Sequence, residues 1–103
     1  MIVVNTEEIP GKKITQSLGI ARGSTVRARN LGRDIFAGLK NIVGGEISEY
    51  TKLLAESREE ALNRMILDAN RMGADAVVNV RLMTSAVMQG AAEILAYGTA
   101  VKL

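Results

Sequence analysis

The last third of the chain is built as two long strand-like arms, and the second arm has no polar side. Residues 76–88 are rich in Val, Leu, Met and Thr, Gln89-Gly90 is a turn signal, and residues 91–103 follow as a partner strand. Both the odd-numbered and the even-numbered positions of residues 91–103 are mainly apolar. A strand that is apolar on both faces must be covered on both, or it invites pairing. We therefore expect a β-hairpin with one face covered by helices and the other by a second copy of the chain.

A long helix is predicted before the hairpin, over residues 46–72. Its apolar positions recur at three- and four-residue steps, namely Ile47, Tyr50, Leu54, Ala61, Leu62, Met65, Ile66, Ala69 and Met72. The helix is predicted to end at Gly73, since glycine is the usual residue just after a helix C-terminus. Residues 57–60, Ser-Arg-Glu-Glu, also fit a capping box, which allows a kink or a second start at Ser57. We favour one continuous helix, because the apolar period resumes in phase.

The first 29 residues predict two strands. Residues 2–4 form a short strand, and Ile9-Pro10-Gly11 is a turn. Residues 13–22 alternate, with Ile14, Leu18 and Ile20 expected on one face. Gly23-Ser24 is read as a break, after which residues 25–29 could extend the strand.

Residues 30–46 combine paired charges, an apolar helical stripe and a Gly-Gly break. The stripe consists of Leu31, Ile35, Phe36, Leu39, Ile42 and Val43. Asn30 suits an N-cap, Asp34 suits the positive end of the helix dipole, and Gly44 suits the end. The predicted fold class is thus α+β: a small single domain, residues 1–103, with an antiparallel sheet on which one short and one long helix pack.

Composition limits the chemistry. The 103 residues include no Cys and no His, which excludes thiolate nucleophiles, Ser-His-Asp triads and the usual zinc sites. A metal site would use oxygen ligands and favour Mg, Ca or Mn. The five methionines fall mostly at core-like positions, so thioether binding of a soft metal is not expected. No run reaches membrane-spanning length, and we expect a soluble, cytoplasmic protein without a membrane partner.

Two polar groups are candidates for a site, each with a structural alternative. Arg33, Asp34 and Lys40 could line a pocket, or serve only as helix cap and salt bridge. Glu46, Glu49 and Tyr50 lie on the first turn of the long helix, and Glu46 shares a face with Glu49 or Tyr50. Two carboxylates at that spacing could hold a hard cation or act as acid and base. The alternative is an acidic residue placed to suit the helix dipole.

Nucleic acid is not expected as a partner. The candidate basic set is Arg22, Arg27, Arg29 and Arg33, but the net charge is only +2 and the chain has three aromatic residues in all. Stacking platforms need aromatic faces, and duplex readers are usually more basic. A solvated or inter-subunit face explains the arginines better.

The order of several motifs resembles the YbjQ-like family, UPF0145. The motifs are Asn30, Arg33-Asp34, Ala37, Lys40, residues 42–45 (Ile-Val-Gly-Gly), Tyr50, residues 73–79 (Gly-Ala-Asp-Ala-Val-Val-Asn) and residues 98–102 (Gly-Thr-Ala-Val-Lys). The resemblance implies a small α/β domain and ring-like homo-oligomers, expected to be pentamers. It also implies a heavy-metal-binding label, which this chain contradicts because it lacks thiolate and imidazole.

The functional hypothesis is a non-catalytic, homo-oligomeric module that binds a small anionic ligand or a hard cation. Its site would lie at a subunit interface and consist of Asn30, Arg33, Asp34, Lys40, Glu46 and Tyr50. Two alternatives remain open. One is a divalent-cation-dependent enzyme that uses Glu46 or Asp34 in acid-base chemistry, and the other is a purely structural ring.

Overall fold

Four strands and one helix form the part of the chain that the computed structural model describes, residues 1–28, 48–88 and 91–103. The elements are β1 (Ile2–Val3), β2 (Gln16–Ala28), α1 (Ser48–Arg71), β3 (Ala76–Met88) and β4 (Ala91–Lys102). The predicted long helix and the two arms of the hairpin are confirmed to within two residues. The predicted short helix and the Gln89-Gly90 turn lie outside the described residues.

The strands form one sheet in the order β1-β3-β4-β2. β4 pairs antiparallel with both β3 and β2, but β1 pairs parallel with β3, with Ile2 opposite Ala76 and Val3 opposite Val77. The sheet is therefore mixed, and the prediction of an antiparallel sheet is wrong at this edge. A parallel pair needs a long crossover, and the chain between β1 and β3, which contains α1, supplies it.

The main core lies between α1 and one face of the sheet. Its buried residues are mostly small: Ala21, Ala61, Met65, Ala69, Val77, Ile94, Ala96 and Ala100. Small side chains let the helix approach closely, and closest at Gly23. A Cβ there would lie 2.5 Å from the carbonyl oxygen of Ala61 and 2.6 Å from the carbonyl carbon of Arg64. Gly23 is thus a contact point inside β2, and the prediction that Gly23-Ser24 breaks the strand is wrong.

A β-bulge at Leu18 changes which residues of β2 face the helix. Ser17 pairs with Val101 and Gly19 with Ala100, which leaves Leu18 without an opposite residue. Leu18 packs against the core below α1, whereas Ile20 is exposed and Ile14 belongs to a different cluster. The prediction that these three residues share a face fails because strict alternation does not survive a bulge.

The face of the sheet away from α1 is covered at one end by the chain itself. Ile9, Ala76, Val78 and Val101 are buried there, and Ile2, Val4, Ile14 and Leu103 pack around them. The predicted turn brings Ile9 into place through a 3.0 Å hydrogen bond from the Lys12 N–H to the Ile9 carbonyl, with Gly11 at φ 79°. A second copy is therefore not needed as a cover at this end.

The helix α1 runs without interruption past Ser57. The Ser57 hydroxyl is buried and donates to the Leu53 carbonyl at 2.9 Å, so it does not cap a second helix. The helix ends as predicted at Gly73, which adopts φ 79°. Its N–H donates to the Asn70 carbonyl at 3.0 Å, and the Ala74 N–H donates to the Ala69 carbonyl at 3.1 Å.

Candidate functional site

The six predicted site residues fall almost wholly outside the described part of the chain. This applies to Asn30, Arg33, Asp34, Lys40 and Glu46. Tyr50 lies in the first turn of α1, and its side chain is not among those described. Whether these residues come together stays a prediction.

The donor set of the chain does not fit a heavy-metal ion. Among residues 1–28, 48–88 and 91–103 no three Asp or Glu side chains are grouped as metal ligands, and the whole sequence lacks Cys and His. The methionines are distributed differently from the prediction, because Met65 is buried but Met1, Met83 and Met88 are exposed. Near Met83 and Met88, β4 buries one face but β3 buries neither, so the apolar sequence of β3 did not indicate burial there.

The outer edge of β2 is occupied by side chains of α1. The backbone N–H of Arg22 donates to Asp68 Oδ2 at 3.0 Å, and the Ser24 carbonyl accepts from Arg64 Nη1 at 2.6 Å. Arg64 Nη2 also bonds Glu60 Oε1 at 2.6 Å, one turn earlier in the helix. Of the predicted basic set, the structure describes the side chain of Arg22 alone, and it is exposed on the face away from α1.

The opposite edge of the sheet is different, because β1 covers only the beginning of β3. From Arg81 to Met88 every residue of β3 is exposed. These residues include Leu82, Met83, Val87 and Met88, so the outer half of β3 carries apolar side chains in water on both faces.

A groove of about 480 Å³ lies where β1 ends beside β3. It is lined by Val3, Val4, Asn5, Leu62, Val80, Arg81 and Leu82. Arg81 Nη1 donates to the carbonyls of Asn5 at 2.9 Å and Val80 at 3.1 Å. One guanidinium among apolar walls can hold a small anion. Sequence reasoning missed this groove because Asn5, Leu62 and Arg81 are far apart in the chain and share no motif.

Within the described residues, no helix has the length and apolar character needed to cross a membrane.

Comparison with known proteins agrees with the fold. A crystal structure of a protein of unknown function from Pediococcus pentosaceus, of the DUF74 family, superposes with a TM-score of 0.66, at 13% identity, over 100% of this chain and 97% of that one. A family model described as "Putative heavy-metal-binding" matches residues 1–103.

Relatives of known sequence are much closer. A UPF0145 protein of Methanosarcina acetivorans is 65% identical over 100% of this chain and 97% of its own. UPF0145 proteins of Archaeoglobus fulgidus and Photobacterium profundum are each 60% identical over the whole of this chain, and the match covers 95% and 100% of their own lengths. The predicted resemblance is confirmed, and the chain belongs to the UPF0145 family.

Proposed function

We propose that the protein is a homo-oligomeric module, a pentameric ring, that binds a small anionic ligand or a hard metal ion without catalysing a reaction. The observation that carries this proposal is the apolar surface on the outer half of the sheet. On the face away from α1, Val26 of β2 is 55% exposed and Met83 of β3 is 51% exposed in this half. Ile20 of β2 is 61% exposed nearer the covered end, in the row of Thr99 and Val78.

The strand register places Met83 and Val26 in adjacent rows of this face. Ser24 on β2, Leu95 on β4 and Met83 on β3 lie side by side, and Val26, Glu93 and Ser85 form the next row. Exposed apolar side chains grouped on one sheet face, here beside the polar Ser24, Ser85 and Glu93, favour an interaction site. Since the described residues cover only the other end of this face, a neighbouring copy is the simplest cover, and closed symmetry limits growth of the assembly.

The ligand site is proposed at a subunit interface formed by Asn30, Arg33, Asp34, Lys40, Glu46 and Tyr50. Arg33 and Lys40 would hold an anionic group, and Asp34 and Glu46 would hold a cation or hydroxyl groups. The metal, if one binds, is a hard ion with oxygen ligands. The heavy-metal description attached to the family model does not extend to a chain without thiolate or imidazole.

Native mass spectrometry of tag-free protein tests both parts of the proposal. We expect a single multiple of the 11.0 kDa subunit, together with the mass of a retained small species. Arg33→Ala and Glu46→Ala should release that species and keep the subunit number. Lys13→Ala and Glu7→Ala are matched charge controls far along the chain and should retain it.

Other outcomes point to other functions. A monomer would refute the assembly. A ring that retains nothing would support the purely structural alternative. An activity that requires Mg²⁺ or Mn²⁺ and is lost in Glu46→Gln would support the enzyme alternative.

A further inference from the structure

Within the described residues, the backbone of β3 has a partner on its outer side only as far as Val80. Up to that point β1 and the residues after it bond to β3: the Val4 N–H to the Val77 carbonyl at 3.0 Å, the Val80 N–H to the Val4 carbonyl at 3.1 Å, and the Asn79 N–H to the Thr6 carbonyl at 2.9 Å. Beyond Val80, β4 is the only strand of the described chain that pairs with β3.

The groups left on this edge can be identified from the ladder. In an antiparallel pair every second residue directs its N–H and C=O away from the partner strand. Val80 does so, since its N–H bonds to Val4. Leu82, Thr84 and Ala86 follow at the same period, before the register shift between Ala86 and Met88. Three donors and three acceptors therefore line up along this edge without a strand partner in the part of the chain that the structure describes.

Among residues 1–28, 48–88 and 91–103, nothing gives this edge the usual protection against pairing. Native proteins block free edges with Pro, charges or covering elements. The edge of β2 is blocked in this way by Asp68 and Arg64 of α1. Residues 82–88, Leu-Met-Thr-Ser-Ala-Val-Met, contain neither Pro nor charge. The exposed fractions are 44% for Leu82, 51% for Met83, 54% for Val87 and 66% for Met88.

We propose that residues 82–88 of β3 pair with a strand of a second copy of the chain, so that the sheet continues across the subunit boundary. The proposal rests on the self-assembly proposed above and assigns it a surface. The contact combines main-chain hydrogen bonds along the edge with burial of the apolar side chains on either face.

The size of the surface favours a whole second copy over a short peptide. Full burial of an apolar side chain is worth ~1.5–3 kcal/mol at about 25 cal/mol per Å², which corresponds to about 60–120 Å² for each side chain. Since the four side chains are about half exposed, they offer on the order of 200 Å² in all. A stable interface needs about 800 Å² from each partner. A peptide on the edge alone would fall short. A folded second copy can add contacts outside the paired strand, including its own exposed Ile20 and Val26, which a short peptide lacks.

Two variants test the edge by different means. Thr84→Pro removes an outward N–H and leaves the ladder with β4 intact, because a proline is tolerated where the N–H points away from the sheet. Val87→Lys places a charge in the contact. Leu67→Lys on α1 is the matched control, since Leu67 is 55% exposed and Val87 is 54% exposed.

The readout is subunit mass by native mass spectrometry and light scattering, with circular dichroism to verify folding. We expect folded 11.0 kDa monomers for Thr84→Pro and Val87→Lys, and the wild-type mass for Leu67→Lys. In wild-type protein the amides of Leu82, Thr84 and Ala86 should exchange slowly when assembled and rapidly on dilution.

The two proposals fail in different ways. A wild-type protein that is monomeric at every concentration refutes the assembly and this surface with it. A wild-type oligomer that persists in both folded β3 variants, or that only Leu67→Lys dissociates, refutes the surface and leaves the assembly standing. If the exchange rates of the three amides do not change on dilution, pairing with a second copy is refuted. A peptide from another protein bound to this edge would refute it as well.

Discussion

Asp68 on α1 accepts a 3.0 Å hydrogen bond from the backbone N–H of Arg22 on β2. Two residues further along the same edge, the Ser24 carbonyl accepts a 2.6 Å hydrogen bond from Arg64. The helix therefore satisfies both a donor and an acceptor of an edge strand with side chains spaced one turn apart. These bonds fix the helix over β2 and leave β3 as the less protected edge of the sheet.

Removal of the Asp68 carboxylate should lower stability. Asp68→Ala leaves the outward N–H of Arg22 to water, and we expect the free energy of unfolding to fall by about 1 kcal/mol, the usual value of a partly exposed hydrogen bond. Urea unfolding at one fixed protein concentration measures the change. Asn70→Ala, on an exposed position of the same helix, controls for the helix propensity of Ala. An equal effect in both variants would mean that the bond contributes nothing.

Gly23 should not tolerate a side chain. Because a Cβ at this position would lie within 2.6 Å of the backbone of α1, Gly23→Ala must push the helix away from the sheet. We expect the free energy of unfolding to fall by about 3 kcal/mol or more, which is at the upper end of the range for overpacked cores. Ser24→Ala, the next residue on the same strand, points to the other face and should change stability by less than about 0.5 kcal/mol. Thermal melts of the two variants provide the comparison, and similar melting temperatures would contradict the close approach.

Thr25 offers a way to stabilise the protein. Its side chain is 3% exposed, and no residue of the described chain bonds its hydroxyl. Replacement by the isosteric Val removes an unsatisfied polar group, so Thr25→Val should raise the free energy of unfolding by about 1 kcal/mol.

The comparison for this prediction is Ser57→Ala, which removes a buried hydroxyl that does have a partner, the Leu53 carbonyl. It should change stability by less than about 0.5 kcal/mol, because Ala favours the helix and the carbonyl keeps its helical bond. A destabilised Thr25→Val protein would show that the Thr25 hydroxyl is hydrogen-bonded after all. Urea unfolding of the three proteins decides between these outcomes.

The elements that repeat regularly could be predicted from the sequence, and the irregular contacts between them could not. The apolar stripe of α1 and the apolar run of β4 after a turn signal extend over many residues, and the structure confirms both elements. Leu18, Gly23 and β1 were misjudged for a common reason. A bulge, a close helix approach and a parallel partner are each decided by residues distant in sequence, namely Val101, Ala61 and Ala76.

The surface of the protein likewise has features that the sequence predicts and features that it does not. Because the second arm of the hairpin is apolar on both faces, the sequence predicts that both faces are covered. Which part the chain covers itself depends on where Ile9 folds back, and which edge is blocked depends on the contact of Arg64 with Ser24. Neither contact leaves a local pattern in the sequence. The polar residues from Asn30 to Glu46, by contrast, were singled out by pattern alone, and their arrangement stays a prediction.

Metal binding separates the description of the family from the chemistry of this chain. With no thiolate and no imidazole, tag-free protein should bind Zn²⁺ and Cd²⁺ weakly, because borderline and soft ions gain little from carboxylate oxygens against water. Calorimetric titration should give dissociation constants no tighter than those of a control protein whose surface is rich in carboxylates. Elemental analysis of purified protein should find neither Zn²⁺ nor Cd²⁺ in stoichiometric amount.

A chelator tests for a hard cation. It should leave the melting temperature unchanged if no metal is structural, and should lower it if a hard cation is held at Glu46. Glu46→Gln should then remove that chelator effect. Retention of Zn²⁺ or Cd²⁺ at one ion per subunit would contradict the argument from the donor set, and Met83→Leu and Met88→Leu would show whether the exposed thioethers are responsible.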